Sequence, residues 1–258
     1  MKEWMDDRRP EINRHRFSLH SLPHMVIADR PIVLIPAYNE AATVGSIVAC
    51  IRQAWNCPVV VIDDCSTDAT TQVARAAGAT VLPLTIQLGA WGATQTGLRY
   101  ALRQGYRTAV TLDADGQHEP ESIGALLEPL VSGQADVSVG AFPERASRAR
   151  RFAWNYFRWL TGLQLEDITS GFRAYNHAAI TILASQEASL LDYQDVGVLL
   201  ILRRKGLHAV EVPVSMQPRV IGASKIFRSW LVVGKYMLHT SLLCIARVGY
   251  NHLPPDDD

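Results

Sequence analysis

The chain has 258 residues, 48% of them hydrophobic and 19% charged, which supplies a core and excludes disorder as the general state. Its 25 basic and 25 acidic side chains cancel, so the excess positive charge of a general nucleic-acid binder is missing. The four cysteines (Cys50, Cys57, Cys65 and Cys244) form no CxxC pair, which argues against a disulfide scaffold or zinc cluster and fits a reducing cytoplasm.

Residues 1–29 are polar and without period, and read as an extension; no apolar segment follows the first residues, so no secretory signal is expected. Ile32 to Ile35 is a short, β-branched apolar run that predicts a buried strand, broken at Pro36. A helix is expected next, to about Gln53. Val59 to Ile62 predicts a second strand, ended by Asp63-Asp64-Cys65-Ser66. Thr67 or Asp68 can cap the following helix, which Gly78 closes. Thr80 to Leu84 predicts a third strand, Gly92 to Gln104 a helix, and Thr108 to Leu112 a fourth strand. A further strand end falls at Ser138-Val139-Gly140.

Strands alternating with helices predict an α/β fold: a Rossmann-like, mostly parallel sheet with helices on both faces. Ligands of such sheets bind beyond the carboxyl ends of the strands. Tyr38 and Glu40, Asp63 and Asp64, and Asp113 and Asp115 all follow strand ends, so one edge should gather the acidic residues. There is no Walker A pattern and no GxGxxG after the first strand; Gly89-Ala90-Trp91-Gly92 is a weak phosphate-loop signal. Two carboxylates spaced as Asp113-Ala114-Asp115 suit a hard divalent cation, which takes one or two carboxylates and completes its shell with water and substrate phosphates.

Zero net charge conceals an asymmetry: residues 1–139 carry −4, residues 140–250 carry +7, and Asp256-Asp257-Asp258 carry −3. Arg145, Arg148, Arg150 and Arg151 form a dense run, followed by Arg158 and Arg173; Arg219, Ser224 and Lys225 surround Gly222. The planar guanidinium suits bidentate phosphate contacts. An acidic metal edge beside two cationic loops is what a diphosphate donor and an anionic acceptor need.

Pro36-Ala37-Tyr38-Asn39-Glu40, the segment from Val61 to Asp68, and Asp113 to His118 together resemble family 2 glycosyltransferases, inverting enzymes of the GT-A fold. Asp167 to Arg173 and Arg219 to Lys225 resemble the polyprenyl-phosphate sugar synthase branch of that family. The resemblance spans about Pro31 to Lys225 and implies a GT-A domain (30–225), which the chain's own pattern flanks with an extension (1–29) and a C-terminal helix with an acidic tail (226–258). It implies that Pro36, Tyr38, Glu40, Asp63 and Asp113 bind the nucleotide-sugar, and that Asp115 and Gln117 hold Mg²⁺ or Mn²⁺. Ser170, Arg173, Arg219, Ser224 and Lys225 would meet an acceptor phosphate, with Asp115, Arg173 and Asp195 as catalytic candidates.

Two positions depart from the family pattern. Cys65 stands where members usually have Gly, and Gly197 where many carry Glu, which leaves Asp195 open as a substitute base, as an orienting group or as the mark of an altered site. Three readings stay open: transfer to a polyprenyl phosphate, transfer to a hydroxyl with Asp195 as base, and nucleotide-sugar binding without turnover.

Ile226 to Val248 is apolar but interrupted by Lys235 and His239, short of the ~18 uninterrupted residues a membrane span needs. On a helix, Arg228, Lys235 and His239 fall within an arc of about 40°. This pattern fits a helix lying in a membrane interface or docking on protein. The expectation is a cytoplasmic protein, peripheral on the inner face of the membrane.

Overall fold

The computed structural model describes residues 30–142, 148–163, 165–190 and 196–217. The expected extension (1–29), the second cationic loop and the C-terminal helix lie outside them.

Seven strands form one mixed sheet: β1 (Ile32–Ala37), β2 (Val59–Asp63), β3 (Thr80–Pro83), β4 (Ala109–Thr111), β5 (Val137–Ala141), β6 (Arg173–Tyr175) and β7 (Ala209–Pro213). Their order is β3-β2-β1-β4-β6-β5-β7. The β1–β2, β1–β4, β2–β3 and β5–β7 pairs are parallel. β6 runs antiparallel to both its neighbours, β4 and β5.

Among the described residues, seven α-helices cover the sheet: α1 (Val44–Trp55), α2 (Thr70–Ala76), α3 (Gly89–Arg103), α4 (Ile123–Val131), α5 (Arg148–Thr161), α6 (His177–Leu183) and α7 (Val196–Arg204). The apolar run of β1 splits between two faces because successive strand side chains alternate. Ile32 and Leu34 join Val60 and Ile62 against Trp91 and Leu98 of α3. Val33 and Ile35 join Val59 and Val61 against Ile47, Val48 and Ile51 of α1. Both core layers are therefore set by one short motif. Gly97 lets α3 lie close on its layer: a Cβ there would fall 2.8 Å from Ile62 Cδ1.

Several boundaries differ from the sequence expectation. Pro36 does not end β1. The strand runs to Ala37, whose carbonyl accepts the Asp64 N–H at 2.8 Å, so the missing Pro36 N–H costs the β1–β2 ladder nothing. The N-cap position of α2 is Ala69, neither Thr67 nor Asp68; Asp68, one residue before it, accepts the Thr70 N–H on Oδ1 at 3.0 Å. α3 starts three residues early, at Gly89, because Asp64 accepts the N–H groups of Leu88 and Gly89 at 2.6 and 2.9 Å. These donors are already taken by a carboxylate, which removes the glycine pair as a phosphate loop.

No described helix is long and apolar enough to cross a membrane.

Candidate active site

The loops after β1 and β2 are stitched together. Asn39 donates its N–H to Ser66 Oγ at 2.9 Å, and its Oδ1 accepts the Thr67 N–H at 2.8 Å. The Glu40 N–H reaches Thr70 Oγ1 at 2.9 Å and the Ala41 N–H reaches Asp68 Oδ2 at 3.2 Å. Hydrogen bonds that favour a carboxylate lower its pKa, and the bonds from Thr70 and Ala41 hold Asp68 below its ordinary value against a raising effect of desolvation. Asn39 (φ 56°) and Cys65 (φ 65°) are left-handed. That conformation suits Asn and explains a Gly preference at the Cys65 position. Tyr38 and Glu40 are half-buried beside these stitches, with Pro36 half-buried just before them.

Asp63 is buried at the end of β2. Its Oδ1 accepts the Ser66 N–H at 2.9 Å and its Oδ2 accepts the Thr71 hydroxyl. A carboxylate has about four acceptor sites, so these bonds orient it without exhausting it.

The Asp113-to-His118 loop leaves β4 at the same edge. Thr43, at the start of α1, pins it by donating from Oγ1 to the Ala114 carbonyl at 2.6 Å. Asp115 is buried, and its Oδ1 accepts the Gln117 N–H at 3.1 Å, which brings those two residues together. The Asp113 side chain is 45% exposed, with His118 Nε2 at 3.4 Å from its Oδ2. The His118 ring packs on Phe172, centroids 5.0 Å apart. Beyond β7 the chain returns to this loop: Met216 bridges His118, and the Gln217 N–H donates to the Gln117 carbonyl at 2.8 Å.

Because β6 is reversed, the loop entering it also lies at this edge. Gly171 abuts Asp113: a Cβ there would fall 2.6 Å from Asp113 Oδ1 and 2.9 Å from Oδ2. Gly171→Ala is therefore expected to displace the Asp113 carboxylate and to destabilise the fold by about 1–3 kcal/mol. Thermal melting beside donor affinity checks this, and a variant with both values unchanged would refute it.

Ser170 and Arg173 are wholly buried. Arg173 donates from Nε to the Ser170 carbonyl at 2.8 Å and from Nη2 to the Ile168 carbonyl at 2.9 Å. Its Nη1 has no hydrogen-bond partner among the described residues. Arg173 thus grips the loop from below instead of projecting into solvent.

Upstream, Glu211 of β7 accepts the Asp167 N–H at 2.5 Å. Burial raises the pKa of Glu211, the N–H donors of Glu166 and Asp167 oppose this, and the charges of those two residues add to the rise. A raised folded value means that Glu211 contributes stability below the ordinary glutamate range and loses it as pH rises through the raised value. Glu211→Gln keeps an acceptor for the Asp167 N–H and removes the charge. Melting temperature measured from pH 4 to 7 is expected to fall more steeply for the native chain than for the variant.

The structure brings Pro36, Tyr38, Glu40, Asp63, Asp113, Asp115, Gln117, Ser170 and Arg173 to one edge of the sheet or directly beneath it. Asp195, Arg219, Ser224 and Lys225 lie outside the described residues. Thr43, Gly171 and Glu211 were missed as supports of the site, and Asp64, expected at the ligand edge, instead caps α3. These roles depend on contacts between distant segments, and only the family motifs around Asp64 and Gly171 gave a signal in the sequence.

A parallel sheet interrupted by one reversed strand, with carboxylates gathered at its strand ends, defines a GT-A-type fold. Residues 32–184 match the family model described as glycosyl transferase family 2, and the chain belongs to that family. The undecaprenyl-phosphate mannosyltransferase of Micrococcus luteus is 32% identical over 227 residues, covering 82% of this chain and 93% of that protein. The polyprenol monophosphomannose synthase of Mycolicibacterium smegmatis is 31% identical over 220 residues, covering 76% and 81%. Among solved structures, glucosyl-3-phosphoglycerate synthase from Mycobacterium tuberculosis, in complex with Mn²⁺, UDP-glucose and phosphoglyceric acid, superposes with a TM-score of 0.66. It is 22% identical, and the match covers 93% of this chain and 88% of that one. The same enzyme was also crystallised with Mg²⁺ and UDP.

Proposed function

We propose that this protein is a metal-dependent, inverting glycosyltransferase that moves a sugar from a nucleotide-diphospho-sugar to a polyprenyl phosphate. The observation that carries the reading is the meeting of the Asp113–Asp115 loop with the Ser170–Gly171 loop, close enough for a Cβ on Gly171 to overlap the Asp113 carboxylate. Donor and acceptor loops in contact are what a direct displacement requires. The M. luteus and M. smegmatis relatives are named for undecaprenyl-phosphate and polyprenol-phosphate chemistry, which supports the choice of acceptor.

In this reading Pro36, Tyr38, Glu40 and Asp63 hold the nucleoside, and Asp113 faces the ribose and phosphates. Asp115 and Gln117 would hold Mg²⁺ or Mn²⁺. They fit such an ion in donor type: the Asp115 carboxylate, whose Oδ1 also accepts the Gln117 backbone N–H at 3.1 Å, and the Gln117 amide oxygen are oxygen donors in the loop that carries the Asp113 carboxylate, which the missing Cβ of Gly171 leaves uncrowded. The ion supplies neutralisation of charge on the diphosphate leaving group.

The acceptor phosphate monoester is already ionised at neutral pH, so no side chain has to remove a proton before it attacks C1 of the sugar. The backbone around Gly171 orients it, Ser170 shapes that loop from beneath, its Oγ accepting the Phe172 N–H at 3.3 Å, and Arg173 fixes the loop and adds positive potential below it. Arg219, Ser224 and Lys225 supply the second cationic loop. The C–O bond to the diphosphate breaks as the new C–O bond forms on the opposite face, which inverts the anomeric centre. This route tolerates Gly197, because it needs no carboxylate base there; Asp195 then orients groups at the site without acting as a base. The enzyme works as a cytoplasmic, peripheral protein at the inner membrane face, with the C-terminal helix against the bilayer.

The test is a transfer assay with purified protein, Mg²⁺ or Mn²⁺, polyprenyl phosphate and labelled UDP- and GDP-sugars. Label moving into the organic phase is expected. Metal-dependent release of UDP or GDP without lipid product would instead select a hydroxyl acceptor, with Asp195 as its base.

A further inference from the structure

None of the roles assigned above uses His118, yet its surroundings single it out. Its side chain is 1% exposed, with Nε2 at 3.4 Å from Asp113 Oδ2. Its ring packs on Phe172, centroids 5.0 Å apart. The backbone around it is fixed on both flanks. His118 bridges Met216, the Gln117 carbonyl accepts the Gln217 N–H at 2.8 Å, and Gln217 Nε2 donates to Glu119 Oε1 at 2.7 Å. Its Nδ1 is buried with no hydrogen-bond partner among the described residues.

An ionised carboxylate accepts hydrogen bonds and donates none, so the ring turns an Nε2–H to Asp113. That tautomer leaves Nδ1 as a buried acceptor with nothing to accept, which lowers stability. Packing alone does not select this residue. A phenyl ring fills a similar volume on Phe172 and buries no polar atom. A polar group kept in place at a cost to the fold points to a use outside the fold. Among the described residues, the polar contact of the ring is with Asp113.

We infer that His118 is a positioning residue for donor binding: its Nε2–H fixes the Asp113 carboxylate in the orientation that meets the nucleotide-sugar. The inference rests on the proposed role of Asp113 at the donor. The Asp113 side chain is 45% exposed and stands against Gly171, where the absent Cβ leaves the carboxylate room to turn. A binding group keeps its effect only when its neighbours hold it within about 0.5 Å of its productive place. A buried ring on a backbone tied to the chain after β7 is such a neighbour.

The experiment compares the full native chain with His118→Phe and His118→Gln. The first keeps an aromatic ring on Phe172 and removes both nitrogens. The second returns an N–H donor to roughly the place of Nε2. Calorimetry with UDP and with GDP, each with Mg²⁺, reads affinity at the donor site, and melting temperature reads the fold. His118→Phe is expected to bind whichever nucleotide the native chain takes about tenfold or more weakly, with a melting temperature equal to native or above it. His118→Gln is expected to return the affinity to within about threefold of native. In transfer to polyprenyl phosphate, the donor KM of His118→Phe should rise while the acceptor KM stays within about twofold. In an Asp113→Ala background, His118→Phe is expected to cost nothing further, because the contact it removes is already gone.

Unchanged affinity in His118→Phe overturns the inference. A lower melting temperature in both variants, with affinity recovered in neither, also overturns it, since a packing residue behaves that way. So do losses that add in the Asp113→Ala background, which would place the effect of His118 elsewhere. A native chain that binds neither UDP nor GDP overturns the donor reading itself. One that binds either leaves that reading standing whatever the His118 variants do.

Discussion

Asp115→Ala is expected to lower sugar transfer by about a thousandfold or more at saturating Mg²⁺ or Mn²⁺, since a bound cation supplies several kcal/mol of charge stabilisation at the leaving diphosphate. The side chain is buried at a loop otherwise held by Thr43, Met216 and Gln217, so the fold should survive its removal. The decisive comparison is Asp115→Asn, which keeps the shape and the acceptor for the Gln117 N–H but loses the charge. Loss of activity in both variants, with melting temperature within a few degrees of native, assigns the effect to charge. Retained turnover in Asp115→Asn would remove the residue from the metal site.

Arg173→Ala is the second large effect, and it has two components. The side chain is 0% exposed and holds two backbone carbonyls of the loop before β6. Removing it leaves a cavity and two acceptors without these donors, at a cost of about 3–5 kcal/mol. Acceptor use should fall with it, because the loop loses both its support and the potential of the guanidinium. Arg173→Lys distinguishes the two. An ammonium keeps the charge but cannot span both carbonyls with a rigid fork. If charge dominates, the Lys variant regains acceptor affinity while staying less stable; if grip dominates, both losses persist. Measuring melting temperature alongside KM for donor and acceptor separates these outcomes, and a rise in donor KM alone would contradict both.

The first half of the fold was legible because its elements are local. β1 and β2 announce themselves as β-branched runs, and the acidic residues after them follow from strand-end geometry. The mostly parallel sheet expected from alternating strands and helices is what formed. Boundaries failed where a distant group decided them. Asp64 starts α3 early by capping it from another loop, and no window of sequence around Gly89 contains that carboxylate. β6 is three residues long and reversed, with no periodicity of its own to read.

The site shows the same division. Residue types at the candidate positions could be read from motifs, but burial could not. The phosphate-binding reading of Arg173 gave no sign that its side chain is spent largely on backbone carbonyls. Nor could it show that Gly171 is required by a side chain 58 positions away at Asp113. Such constraints exist only once β4 and β6 are adjacent.

The reversal of β6 has a consequence for how the family diversifies. Between β5 and β6 the chain leaves the ligand edge and re-enters it, passing through α5, and both ends of that excursion are anchored in the sheet by the β5–β6 pairing. The anchors sit opposite Val137–Val139 and Arg173–Tyr175, so an excursion of different length or composition changes no strand register. Among the described residues, the nucleotide half, built from β1 to β4, meets the return of that excursion where Gly171 abuts Asp113, the Thr111 hydroxyl donates to the Gly171 carbonyl at 2.8 Å and His118 packs on Phe172. On the proposed reading of the site, what receives the sugar can then be altered in the excursion without moving the strands that carry the donor residues, as exchangeable cargo terminals served by one fixed dock.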